Sequence, residues 1–133
     1  MAIQKSVALR NAQLDQIETT IGTAPLLRIA TGSPPANCAA ADTGTVLAEF
    51  ALPSDWLSAA SGGVKSKNGT WSGTASGGSA STPGHFRIKD SGGTTVHFQG
   101  TAGIGSGDLS FDGSITSGQT ITVTTFDITG GGG

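Results

Sequence analysis

The side chains that could carry chemistry are few and lie far apart along the chain. The two histidines, His85 and His97, lie in neighbouring strand-like segments, and the single cysteine, Cys38, lies in a loop rich in alanine and proline. Zinc requires three or four close ligands, which this set does not supply. We expect exposed strand histidines. We expect Cys38 to be a buried small hydrophobic residue, with an intermolecular disulfide across a symmetric assembly as the alternative.

The acidic and serine-containing motifs do not match a catalytic or metal-binding pattern. Asp108 and Asp112, which lie near glycines, are the calcium candidates, and their spacing is not that of an EF-hand loop. Residues 103–107 (GIGSG) carry serine in the wrong position for the nucleophile elbow of a hydrolase, and the sequence contains no phosphate-binding loop. The sequence therefore predicts no enzyme activity, no metal site and no cofactor.

The two tryptophans, Trp56 and Trp71, are candidate stacking aromatics. An exposed indole ring could stack on the face of a sugar, whereas a buried one contributes a large apolar area to a core. Tryptophans of small β-sandwiches are more often core residues, and we favour that interpretation for both. The sugar-binding interpretation stays open at this point.

The composition indicates one small domain with few charges. The chain has 133 residues, of which 22 are glycine and 12% are charged, about half the usual charged share. The net charge is −2 and the seven basic residues are scattered, so we expect no binding to nucleic acid. Residues 1–10 lack the apolar core of a secretory signal, and no apolar run approaches the ~20 residues of a membrane span. We therefore expect no membrane association.

Residues 83–100 contain the clearest structural pattern and predict a β-hairpin. Apolar side chains alternate with polar ones on both halves of the segment, as in strands with one buried face. These apolar residues are Phe86, Ile88, Val96 and Phe98. A three-residue loop at 91–93 would place Ile88 opposite Val96 and Phe86 opposite Phe98, with Gly92 or Gly93 in the left-handed conformation.

The same register makes Arg87 and His97 neighbours on the polar face of the hairpin. We expect this outer face to be exposed and to form a candidate contact surface. Arg87→Glu is then expected to weaken assembly without unfolding the domain.

Residues 6–21 predict one amphipathic helix. Ser6 or Asn11 is the expected N-cap, and Gly22 and Pro25 are typical of a helix end. Four apolar side chains recur at helical spacing: Val7, Leu14, Ile17 and Ile21. The helix either covers its own sheet or docks on a partner subunit. We favour docking, which makes the last three of these residues candidate interface residues.

Short strands separated by turns are predicted for most of the remaining chain. Residues 26–30 predict a strand, and residues 31–43 predict a loop because their glycine and prolines disfavour a regular ladder. Asn68 and Gly69 predict a two-residue hairpin that pairs the segments on either side of it.

Residues 120–128 predict the longest strand of the chain. The apolar positions change phase within it, since Ile121 and Val123 have odd numbers whereas Phe126 and Ile128 have even ones. A continuous strand keeps these apolar side chains on one face only if one extra residue is inserted where the phase changes. We therefore predict a β-bulge at Thr124–Thr125.

These patterns together predict a mainly β protein. About seven or eight short strands with regular turns are typical of an antiparallel β-sandwich or jelly roll, here with one N-terminal amphipathic helix. The expected organisation is an N-terminal arm and helix (1–22), a β-sandwich domain (23–129) and a flexible glycine tail (130–133).

Most of the chain resembles a group of small proteins encoded by tailed bacteriophages. The resemblance lies in the opening segment, residues 1–56, and in three later segments: GTWSG (69–73), HFRIKDSGGTTVHFQG (85–100) and SGQTITV (117–123). It concerns the whole pattern and includes no catalytic motif, so it assigns no role to any residue.

The resemblance implies a structural protein of the virion, assembled in the cytoplasm of the bacterial host. The implied role is capsid decoration (a cement protein), with the neck or tail as an alternative location. The implied partners are further copies of the chain and other virion proteins, such as the major capsid protein or tail proteins. An alternative function is a receptor- or sugar-binding module on a neck, tail or fibre, which would use the two tryptophans and the polar face of the hairpin.

Overall fold

One helix and nine strands occur in residues 3–131, the part of the chain that the computed structural model describes. These elements form a mainly β, sandwich-like fold with one N-terminal helix, which confirms the predicted fold class. In chain order they are α1 (Val7–Ile21), β1 (Leu26–Ala30), β2 (Val46–Ala51), β3 (Val64–Ser66), β4 (Trp71–Thr74), β5 (His85–Lys89), β6 (Val96–Ile104), β7 (Leu109–Phe111), β8 (Thr120–Val123) and β9 (Asp127–Thr129).

The strands form one large sheet and two small ones. The large sheet has the order β2-β1-β5-β6-β7, and the small sheets pair β3 with β9 and β4 with β8. The pairing is antiparallel throughout except between β6 and β7, which are parallel. The prediction of antiparallel pairing is therefore wrong for this one pair.

The core lies between the inner face of the large sheet and the small sheets. Phe126, between β8 and β9, is one of its residues. Its ring centroid lies 5.3 Å from that of Trp71, 5.7 Å from that of Phe86 and 6.5 Å from that of Phe98. Such tilted and edge-on contacts are favourable for aromatic pairs. Phe126 thus joins β4, β5 and β6 in one apolar cluster.

The predicted long strand at 120–128 is two strands, and the longest strand is β6. β8 ends at Val123 and pairs with β4, whereas β9 begins at Asp127 and pairs with β3. The predicted bulge at Thr124–Thr125 is therefore a break in the strand. The change of apolar phase marks the place where the chain leaves one small sheet, buries Phe126 and enters the other.

The chain bends at Gly69, but the hairpin predicted at Asn68 and Gly69 is absent. Gly69 has φ +71°, as a tight turn requires, yet the strands on either side pair with β9 and β8 and not with each other. The Nδ2 of Asn68 donates to the carbonyl oxygen of Asp55 at 2.9 Å, and its carbonyl accepts from the Trp71 indole at 3.2 Å. Burial of Trp71 outweighs the local preference for a hairpin.

Helix α1 begins and ends where the sequence predicts. Ser6 is the N-cap, because its Oγ accepts a hydrogen bond from the amide of Leu9 at 3.1 Å. Gly22, at φ +92°, ends the helix and donates to the carbonyl oxygen of Glu18 at 2.8 Å. No helix in residues 3–131 is long and apolar enough to cross a membrane.

The tail predicted at 130–133 begins with a residue that is hydrogen bonded. The amide of Gly130 donates to the carbonyl oxygen of Gly63 at 2.8 Å, which extends the pairing of β9 with β3 by one residue. Residues 132 and 133, like 1 and 2 of the predicted arm, lie outside the described residues.

The central hairpin forms, but its register differs from the prediction by two residues. Ile88 lies opposite Phe98, and Arg87 lies opposite Gln99 instead of His97. The loop is wider than three residues because the Asp90 side chain organises it, accepting from the amide of Thr94 at 2.8 Å. The hydrogen bonds from Thr94 hold the pKa of Asp90 below its ordinary value. Gly93, at φ +71°, is left-handed as predicted.

Candidate functional site

Neither tryptophan is exposed, so the structure contradicts the sugar-stacking interpretation. Trp56 and Trp71 are both 0% exposed, and their ring centroids lie 6.0 Å apart. Each indole nitrogen has a backbone partner. That of Trp56 donates to Gly22 at 3.1 Å, and that of Trp71 donates to Trp56 at 3.1 Å. Trp56 therefore fixes the end of helix α1 to the core, and neither ring has a face free for a sugar.

The candidate interface residues of helix α1 face their own domain. Leu14 and Ile21 are 5% and 7% exposed, and Ile21 belongs to the main core cluster. Ile17 is half-buried and lines a shallow groove beside β6, together with His97 and Phe98. Leu14 and Ile21 are thus not available to a partner subunit. Ile17 and His97 are brought together by the structure.

The outer face of the hairpin, which was expected to be exposed, is covered. The connection between β1 and β2 includes residues 31–43, called the 31–43 loop below. It folds back over the outer face of β1, β5 and β6. Its base is closed by Thr31, whose amide donates to Thr45 at 3.0 Å and whose Oγ1 accepts from the Thr45 amide at 2.9 Å. With the core on one side and this loop on the other, all five residues of β5 are buried.

The side chains beneath this loop form what we call the polar layer. It comprises Arg28 of β1, the three residues His85, Arg87 and Lys89 of β5, and Gln99 of β6. These residues share the outer face because each lies at an alternate position of its strand, and the registers align the strands. The four titratable members are between 0% and 8% exposed.

Arg87 is the most extensively bonded residue of the polar layer. Its guanidinium donates to Asp42 Oδ1 at 2.7 Å, to the Asn37 carbonyl at 3.0 Å and twice to Gln99 Oε1, at 3.0 and 3.1 Å. It is 1% exposed. Arg87 thus fastens the 31–43 loop to the sheet from within. Arg87→Glu would place a carboxylate against the oxygens of Asn37 and Gln99, so its expected effect is on folding and not only on assembly.

His85 and Gln99 connect the layer to the backbone of the same loop. The Nδ1 of His85 lies 3.0 Å from the carbonyl oxygen of Gly32, which fixes the proton on that nitrogen because a carbonyl only accepts. The Nε2 of Gln99 donates to the carbonyl oxygen of Pro35 at 2.8 Å. His85 is 0% exposed, so the expectation of an exposed histidine is wrong for this residue.

Among residues 3–131, Asp42 is the only carboxylate that contacts the polar layer, and sequence reasoning did not single it out. Oδ2 lies 2.6 Å from Lys89 Nζ and 3.6 Å from Arg28 Nε, while Oδ1 binds Arg87. Burial alone would raise the pKa of Asp42. The hydrogen bonds from Lys89 and Arg87 and the charge of Arg28 outweigh burial and lower this pKa to about 2. The only available signal was that Asp42 is the single charged residue of the 31–43 loop.

A second ionic cluster, the helix cluster, joins helix α1 to β3. Lys65 is 1% exposed and its Nζ lies 2.8 Å from Asp15 and 2.9 Å from Glu18. It also donates to the carbonyl oxygen of Ser58 at 2.9 Å. Burial opposes the charged form, but the hydrogen bonds and charges of Asp15 and Glu18 hold the pKa of Lys65 above its ordinary value.

In the described part of the chain, the remaining candidates belong to neither of these two clusters. Asp108 accepts hydrogen bonds from the amide and hydroxyl of Thr101 at 3.0 and 3.1 Å, and so fixes the start of β7 against β6. Cys38 is a half-buried free thiol on the 31–43 loop, less buried than expected. Within residues 3–131, no group of three or more histidine, cysteine or acidic residues has the arrangement of a metal site.

Exposed apolar side chains are concentrated at the start of helix α1. Among the residues described, four large apolar side chains are exposed, and three of them fall within residues 3–9. These are Ile3 at 83%, Val7 at 47% and Leu9 at 48%, and the fourth is Ile104 at 43%. The exposed apolar surface of the helix therefore lies one to two turns before the residues that the sequence proposed as an interface.

Comparison with protein-family models, with curated proteins and with solved structures gives no match.

Proposed function

We propose that this chain is a structural protein of a bacteriophage virion that decorates the head by binding the capsid lattice. The proposal rests on the resemblance of residues 1–56 and three later segments to small virion proteins of tailed bacteriophages. The observation that carries it furthest is the exposed apolar segment at residues 3–9. Three of the four large exposed apolar side chains of the described residues fall within this segment, and a protein that covers the start of the helix would bury them.

The rest of the surface suits attachment to a repeating lattice. The chain is 12% charged. The side chains of Arg87 and Gln99 are bonded within the domain, to the 31–43 loop. A lattice presents the same site many times, so individually weak contacts add together when several copies are held near one another. We therefore propose further copies of this chain and the major capsid protein as partners.

Binding to expanded, undecorated capsids tests the proposal directly. The variant Val7→Glu/Leu9→Glu is expected to lose attachment, because it places two carboxylates in the apolar segment. The helix itself should tolerate both changes. Acidic residues are favourable in the first turn, and glutamate three residues after Ser6 completes a capping box.

The matched control is Ile104→Glu, which makes the same kind of change at the exposed apolar residue on β6. We expect this variant to attach at the wild-type level. Stoichiometric attachment of the wild type at lattice symmetry sites supports the proposal. No attachment of the wild type would overturn it, and equal attachment of all three proteins would show that residues 3–9 are not the contact surface.

The number of copies in purified virions distinguishes the head from the neck or tail. Hundreds of copies per particle support decoration of the head, and about six or twelve indicate a neck, tail or fibre component, in keeping with the closed symmetry of such rings. Native mass of the purified chain gives its own oligomeric state, which we propose to be a cyclic homo-oligomer.

A further inference from the structure

The polar layer holds more positive charge than its carboxylate neutralises. Arg28, Arg87 and Lys89 are each at most 8% exposed, and all three face the single carboxylate of Asp42. Three positive charges and one negative charge leave an excess of two. Buried charge that lacks a counter-charge is strongly unfavourable, so an excess of this size is expected to attract an anion.

Other acidic residues near the layer do not neutralise it. Glu49 is the cross-strand neighbour of Arg28, but it is exposed, and among residues 3–131 no ion pair joins the two. Asp90 follows Lys89 in the chain, and its two carboxylate oxygens accept from the backbone and hydroxyl of Thr94. Neither carboxylate therefore neutralises a cation of the polar layer.

Two cations of the layer have unused hydrogen-bond donors. Nη1 of Arg28 is buried and has no hydrogen-bond partner in the described part of the chain. Nζ of Lys89 makes one hydrogen bond there, to Asp42, although an ammonium group carries three donors. The layer therefore has both unneutralised charge and unused N–H groups, which are the two requirements of an anion site.

A cavity gives access to this charge. It has a volume of about 570 Å³ and lies between the 31–43 loop and the turn that follows β5, with Asp42, Arg87 and Lys89 in its wall. Known small-molecule sites have volumes of roughly 300–1,000 Å³. Cys38 and Thr95 line the same cavity. Arg28 lies behind it, with Nε 3.6 Å from the carboxylate of Asp42.

We infer that this cavity binds a phosphate-class dianion, either free or as a monoester, through Lys89 and Arg87 with Arg28 adding its charge from behind. The charge excess selects this class of ligand. A dianion neutralises two positive charges, whereas chloride or a single carboxylate neutralises one. The guanidinium and ammonium groups are also the donors that proteins use for phosphate oxygens.

Titration of the protein with inorganic phosphate tests the inference. At about pH 8 phosphate is mainly the dianion. At constant ionic strength we expect saturable NMR shifts of the amides of residues 38–42, 89 and 93–96, and a rise in Tm. Acetate and chloride at matched ionic strength are expected to give neither. Shifts that do not saturate, or that chloride reproduces, would show that the cavity has no such site.

A pair of lysine variants locates the site. Lys89→Met removes the ammonium group that lines the cavity, and we expect it to weaken phosphate binding about tenfold or more, the loss typical of one charged hydrogen bond. Lys67→Met is the matched control, because Lys67 donates to the carbonyl of Gly69 in a different turn. Equal phosphate affinity of the two variants would overturn the inference. If Lys89→Met does not fold, the titration of the wild type decides alone.

Discussion

The two ionic clusters of this domain are both buried but have opposite charge imbalances. In the helix cluster one cation, Lys65, is bound by two carboxylates that also reach solvent, with Asp15 48% and Glu18 24% exposed. At the polar layer one carboxylate, Asp42 of the 31–43 loop, is bound by three cations whose side chains are 5%, 1% and 11% exposed. The excess charge of the helix cluster lies on carboxylates that solvent hydrates, whereas that of the polar layer lies on buried cations that face only the cavity.

This difference indicates different roles for the two clusters. The helix cluster is saturated, since Lys65 Nζ uses three acceptors, and its function is to hold helix α1 against β3. The polar layer holds the 31–43 loop, but it retains excess charge and unused donors beside a cavity. In each cluster one residue carries the opposite charge to all the others: Lys65 in the helix cluster and Asp42 at the polar layer. Removal of that residue's charge is the most direct test of the comparison.

Asp42→Asn is expected to cause the largest loss in the free energy of unfolding. It leaves Arg28, Arg87 and Lys89 buried without a counter-charge, and breaking a buried ion pair from one side typically costs about 3–5 kcal/mol. We expect about 3 kcal/mol, because the Asp42 side chain is 34% exposed and water can replace part of its contacts. Urea unfolding at neutral pH measures the change. A loss below about 1 kcal/mol would show that the layer is already hydrated or neutralised by another group.

Lys65→Met is the corresponding change in the helix cluster, and we expect a smaller loss of about 1–2 kcal/mol. The methionine keeps the apolar contacts of the lysine stem, and the two carboxylates become hydrated where they are. Urea unfolding of both variants under the same conditions gives the ranking. If Lys65→Met proved more costly than Asp42→Asn, the contrast between hydrated carboxylates and buried cations would be wrong.

Acid should reduce the stability of the wild type more than that of Asp42→Asn. The pKa of Asp42 is about 2 in the folded protein and near 3.8 when unfolded, so its contribution is complete above about pH 4 and is lost as the pH falls towards 2. Allowing for solvent screening, the difference in unfolding free energy between the two proteins should narrow by about 1–2 kcal/mol over this range. A constant difference would contradict the assignment to Asp42.

Asp15→Asn is expected to reduce the stability of the domain least. Glu18 remains 2.9 Å from Lys65, and Asp15 is about half exposed, so the cluster keeps a counter-charge. The change also weakens the acceptor of the Ala60 amide, which binds Asp15 at 2.8 Å. We expect a decrease in Tm that is measurable but smaller than that of Lys65→Met. A larger decrease would show that Asp15, and not the pair of carboxylates, holds the helix.

Features of the fold that depend on neighbouring residues were predictable from the sequence. The Ser6 cap, the end of α1 at Gly22, strand β1 and the left-handed Gly93 all follow from local preferences of a few residues. The mainly β class also follows, because alternation with period two and regular turns are local patterns summed along the chain.

Features that depend on distant residues were not predictable in this way. The alternation in β5 implies one exposed face for Arg87, and nothing nearby in the sequence indicates that residues 31–43 will cover it. Arg87 and Asp42 are in contact across 45 positions. The hairpin at Asn68 and the bulge at Thr124–Thr125 were wrong for the same reason, since the partners of those strands are remote.

The sequence by itself thus determined where the chain forms a helix, turns and strands, and that its chemically capable residues are few. The tertiary structure alone decided which of those residues are buried and which charges meet. The physical reason is that burial and charge pairing depend on what lies across a strand or beneath a loop. Alternation in β5 therefore specified that Arg87 and Phe86 point in opposite directions, and only the folded 31–43 loop made both directions interior.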